Sequence, residues 1–74
     1  MFKELDTVAL TRDLPEQGLA CGDLGAIVMV YNDGEAFEVE FVALNGETIA
    51  LQTLPADAIR SIRRREIAHV REMV

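Results

Sequence analysis

The chain has 74 residues, half of them apolar and 27% charged, which makes one small domain and excludes a disordered chain. A single cysteine excludes a disulfide framework, and a formal net charge of −6 argues against nucleic acid as a partner. The charged start Met-Phe-Lys-Glu-Leu-Asp reads as neither a secretory signal nor a membrane span, so a soluble cytoplasmic protein is expected.

The charge is unevenly placed. Lys3 and Arg12 face eleven acidic residues over 1–59, whereas 60–74 carry five arginines against Glu66 and Glu72. An acidic body repels phosphate, and the basic tail is the one feature of opposite sign. A domain of this size buries only about 60% of its unfolded surface, so help from a partner subunit is plausible.

In chain order, Thr7–Thr11 alternates, with Val8 and Leu10 on one face, and predicts a first strand. Arg12–Asp23, with Pro15, Gly18 and Gly22, predicts a long loop. Gly25–Tyr31 is β-branched and apolar throughout and predicts a second strand. Asn32-Asp33-Gly34 is a turn signal, with Gly34 free to take a positive φ. Phe37–Phe41 predicts a third strand, with Phe37, Val39 and Phe41 on one face and Glu38 and Glu40 on the other.

Leu44-Asn45-Gly46 predicts a three-residue hairpin loop with Gly46 left-handed in a bulge. That loop sets Phe41 opposite Ile49 and Val39 opposite Leu51, keeping all four on one face. Thr48–Leu54 is then a fourth strand, Pro55–Ala58 a single helical turn, and Ile59–Ile62 a short fifth strand. Over Arg63–Val74, Ile67, Val70 and Val74 have helical spacing, while the alternation from Ile67 to Glu72 also permits a strand. A strand after a turn at Arg63–Arg65 is the slightly preferred reading. Strand, long loop, three-stranded meander, helical turn and short strand make the layout of an all-β, SH3-like small barrel of five or six strands.

The segments ELDTVALTRDLPEQGL (4–19), CGDLGAIVMVY (21–31), FEVEFV (37–42), GETIALQTLPADAIRSI (46–62) and EIAHVR (66–71) together resemble the bacterial family catalogued as domain of unknown function 4926. The resemblance implies a stand-alone SH3-like protein with no assigned activity, and a closing strand over 66–72. Many relatives have a Pro-Gly turn where this chain has Arg64-Arg65. The family's small uncharacterised neighbours imply an accessory or antitoxin-like partner of another small protein. GDLG (22–25) is also similar to the glycine turn of KOW-type barrels, but basic residues do not flank it here.

The residues point to no catalytic, cofactor or metal site. Nucleophilic catalysis needs a base beside the nucleophile, and nothing in the sequence brings the only cysteine, Cys21, to the only histidine, His69. Asp33-Gly34-Glu35 lacks the spacing of a calcium loop and reads as turn chemistry. Glu38 and Glu40 read as the solvated face of a strand. No lysine follows the glycines as a phosphate loop requires, and the aromatics are too few for a proline-peptide groove. Arg60, Arg63, Arg64, Arg65 and Arg71 either grip an RNA phosphate or an acidic partner, or pair within the chain with Glu38, Glu40 or Glu47, or simply keep the protein soluble.

The second strand poses the main question. Ala26, Val28 and Val30 alternate with Ile27, Met29 and Tyr31, and only one set can face a small core. The other must be covered by the tail, through Ile67 and Val70, or by a partner. Ile27, Met29, Tyr31, Arg63, Arg64 and Arg65 are therefore the expected partner-binding residues. The expected function is non-catalytic protein binding, with another protein or as a homodimer through a strand edge. The alternative is a KOW-like RNA- or ribosome-associated module using Arg60, Arg63, Arg64 and Arg65.

Overall fold

Five apolar or alternating runs become five strands in the computed structural model, which describes residues 2–73. They are β1 (Thr7–Leu10), β2 (Leu24–Tyr31), β3 (Ala36–Val42), β4 (Thr48–Pro55) and β5 (Ile59–Ser61), with 3-10 turns at Pro15–Gln17 and Ala56–Ala58. All pairings are antiparallel, and the sheet order is β4-β3-β2-β1-β5. β2 is the shared strand: Leu24–Ala26 pair with β1, and Ala26–Tyr31 pair with β3. That sharing lets one sheet fold over itself into the SH3-like small barrel, with β4 and β5 as its edges. The helical turn at 55–58 forms as expected.

The core follows from the alternation of β3. Phe37, Val39 and Phe41 are buried, and Val8, Leu10, Leu19, Ile27, Leu54, Ala58 and Ile59 pack with them. Phe2 closes one end, its ring edge-on to Phe37 at 5.4 Å between centroids.

Two bulges change which side chains face this core. In β2, Ile27 lies opposite Val39 and Met29 opposite Glu38, so Val28 is an extra residue. Gly25 and Ile27 point inward before the bulge and Val30 after it, while Met29 and Tyr31 turn outward. The physical gain is clear at Tyr31: its hydroxyl donates to Glu38 Oε1 (2.8 Å) instead of entering an apolar core.

The three-residue loop over Leu44–Gly46 forms as expected. Ala43 N–H donates to Glu47 O (2.8 Å), and Gly46, at φ 92°, donates to Ala43 O (2.9 Å). The strand register expected from it is corrected. Val42 lies opposite Thr48 and Phe41 opposite Ala50, so Ile49 is a second extra residue and Val39 faces Gln52. Leu54, buried opposite Phe37, sets the parity of β4 from its far end. Ala50 therefore takes the inner face opposite the Phe41 ring, Ile49 packs at the core's margin, and Leu51 turns out.

The closing strand expected over 66–72 is also corrected. Arg64-Arg65 form a turn, and Glu66–Met73 are neither strand nor helix. Side chains hold this segment at two points, Glu66 and Arg71, and no backbone hydrogen bond ties 67–73 to a strand among the described residues. Val74, part of the helical spacing, lies outside the described residues. Ile67 is 94% exposed and Val70 71% exposed, so these two side chains do not cover β2 as expected.

Candidate partner-binding site

Alternation along β2, β3 and β4 sorts their side chains to the two faces of the sheet. On the outer face, Ala26, Glu40 and Leu51 form one row across the three strands, and Met29, Glu38 and Thr53 form the next. Met29 is 46% exposed and Leu51 51% exposed; Leu24, Val28 and Val42 are exposed to a similar degree. The result is an apolar face with two carboxylates along its middle.

Those carboxylates are already tied down. Glu38 Oε1 accepts from Tyr31 Oη (2.8 Å) and from Thr53 Oγ1 (3.0 Å). Glu40 Oε2 accepts from Thr48 Oγ1 (2.7 Å). The hydrogen bond to Glu38, with some burial beside it, raises the Tyr31 phenol above its ordinary range.

Of the expected contact residues, Ile27 is corrected outright. It is a fully buried core residue, because the β2 bulge follows it rather than precedes it. Met29 is on the outer face as expected, and Tyr31 is half-buried there. Arg63, Arg64 and Arg65 stand exposed in the turn that leaves β5, and none has an ion pair among the described residues. They extend from the edge strand β5, whereas Met29 and Tyr31 lie on the part of β2 that pairs with β3. The two groups are thus carried by different halves of the sheet.

The arginine turn is clamped by Glu66. Its carboxylate accepts from both arms of Arg60 (2.9 and 2.7 Å) and from the Arg63 N–H (2.6 Å). The Arg60 bonds, then the Arg63 N–H, pull the Glu66 carboxyl down to about 2. The expected pairing of the arginines with Glu38, Glu40 or Glu47 is corrected: Arg60 takes Glu66, and Arg71 takes Asp23. The remaining pairs among the described residues are Arg12 with Asp57 and Lys3 with Asp6.

The sequence reading missed Leu24, Val42 and Leu51. Val42 was legible, because strict alternation from inward Phe41 puts it outside. Leu51 was hidden by the second bulge. Among the described residues, no group of three or more His, Cys, Asp or Glu could hold a metal ion. Cys21 and His69 are both exposed. No helix among the described residues is long and apolar enough to cross a membrane.

A family model described as a domain of unknown function (DUF4926) matches residues 4–61. No curated protein and no solved structure matches the chain.

Proposed function

The chain belongs to the DUF4926 family, and we propose that it is a non-catalytic protein-binding module, an accessory or antitoxin-like partner of another small protein. The observation that supports this reading is the outer face of β2–β4, where Val28, Met29 and Leu51 stay half in solvent. Burying the exposed halves of Met29 and Leu51 against a partner would contribute about 1 kcal/mol each. Glu38 and Glu40, held by Tyr31, Thr53 and Thr48, offer fixed acceptors to a partner's donors at no cost in reordering. A cytoplasmic location belongs to the same reading, and the lone exposed Cys21 suits a reducing compartment.

A KOW-like RNA-binding role is the second reading. Arg63, Arg64 and Arg65, without ion pairs among the described residues and on a clamped turn, favour it. Co-purification from native extract separates the two. Protein binding predicts that Leu51→Asp and Met29→Asp lose the captured protein while both variants stay folded. It also predicts capture that tolerates salt. RNA binding predicts loss on replacing Arg63–Arg65 by alanine, with retention falling steeply as salt rises. If folded Leu51→Asp and Met29→Asp capture what the unaltered chain captures, the protein-binding face is wrong. Light scattering on the same samples reads self-association.

A further inference from the structure

Phe2 plugs the Phe37 end of the core, but the Phe41 end opens into a groove of about 640 Å³. Its apolar walls come from Leu19, Leu24, Phe41, Val42, Leu44 and Ile49, with Asp23 and Glu47 also lining it. Residues 68–73 of the tail run along it.

We propose that this groove docks an extended apolar segment bearing one arginine, presented by a second polypeptide, and that residues 66–73 are a tethered stand-in for it. The proposal rests on the reading of the chain as a binding module and names the partner chemistry of a second surface. The first support is how the groove reads Arg71. Its Nε donates to Asp23 Oδ1 (2.8 Å), and its Nη2 donates to Asp23 Oδ2 (2.5 Å) and to Gly18 O (2.8 Å). Asp23 is held ready by the Ala20 N–H at 2.9 Å, and its side chain is only 19% exposed. Three fixed acceptors in a fork match a guanidinium plane and would serve an ammonium poorly. The Arg71 bonds, aided by Ala20 N–H against the cost of burial, keep the Asp23 carboxyl below its ordinary range.

The second support is how poorly the rest of the tail fits. Val70 lines the groove and is still 71% exposed, and Leu44 at the hairpin tip is almost bare. A segment that keeps the arginine and sets larger apolar residues against those walls would bury what the tail does not. The third is the extent of the family match. Asp23, Gly18 and the apolar walls all lie inside residues 4–61, and the strap lies outside them. The fourth is charge: a body with eleven acidic residues and two basic ones over 1–59 complements a cationic ligand.

The test is fluorescence anisotropy with a labelled peptide of residues 66–73, Glu-Ile-Ala-His-Val-Arg-Glu-Met, titrated with full-length protein. In the intact chain the tethered tail competes. Arg71→Asp releases it, so this variant should bind the peptide roughly tenfold more tightly. Arg71→Gln is the second variant if Arg71→Asp does not fold. Binding should vanish when the peptide's own arginine becomes aspartate, or when Asp23→Asn is added to the released variant. Equal affinity of the released and intact chains overturns the proposal. So does equal binding of the arginine and aspartate peptides, or no binding at all by a folded released variant. Those outcomes leave Leu51 and Met29 untouched, so failure here and failure of the outer-face reading are distinguishable.

Discussion

Gly25→Ala tests the inward face of β2 by the sign of its effect. Gly25 lies in extended β2 and is not among the positive-φ glycines, so alanine has no backbone reason to be rejected there. The reason is space. A Cβ at Gly25 would sit 2.6 Å from Val39 Cγ1 and 2.9 Å from Phe41 Cε1, both in the buried core. Neither neighbour can swing into solvent, so the cost is overpacking, about 1–3 kcal/mol. A chain of this length has roughly 4–11 kcal/mol of total stability, so the loss is a large share. If Gly25 and Ile27 faced out, as the plain alternation of the sequence suggests, the same change would stabilise by about 0.4–1 kcal/mol through the unfolded state. Urea unfolding followed by circular dichroism measures this, with an unchanged m-value confirming that the shift is one of stability. Val39→Ala removes the nearest contact, so the double variant should lose less than the two single losses together. A Gly25→Ala protein as stable as the unaltered chain, or more so, refutes the packing described for β2.

The bulge at Val28 makes a second contrast: Ile27→Ala should cost about 2–5 kcal/mol, and Met29→Ala no more than about 0.5 kcal/mol, in the same urea assay. Glu66 should titrate near 2 rather than near its ordinary 4.5 in a carboxyl-detected NMR titration, and Arg60→Gln should move the midpoint up. A lowered carboxyl pKa stabilises the fold above 4.5, and that contribution fades as pH falls from 4.5 towards 2, so Glu66→Gln should flatten acid sensitivity in that window. The Tyr31 phenol should ionise above 10 in an ultraviolet titration, and Glu38→Gln should bring it down, because the carboxylate both accepts its proton and repels the phenolate.

Part of the outer apolar face was legible and part was not. Met29 and Tyr31 could be named from their residue types. Leu51 could not, because its face depends on an extra residue at Ile49. Ile27 was assigned to the wrong face for the same kind of reason, an extra residue at Val28 that nothing in the local pattern announces. The groove was invisible in the sequence, since Arg71 and Asp23 meet across 48 residues and Gly18 O across 53.

Strand positions, the turns at Asn32–Gly34 and Leu44–Gly46, the 3-10 turn after Pro55 and the SH3-like order were all determined by the sequence alone. Each strand and turn depends on neighbours a few residues apart: period-two alternation, a β-branched run, a proline, or a glycine free to take a positive φ. Tertiary structure alone decided the two bulges and the path of the tail. A bulge is selected when the register on one side of it must agree with the inward set on the other, as Ile27 must with Val30, and as the Leu44–Gly46 loop must with inward Ala50 and Leu54 across Ile49. The tail follows two charged anchors rather than its own alternation, because Arg60 and Asp23 are brought into its reach only once the barrel has folded.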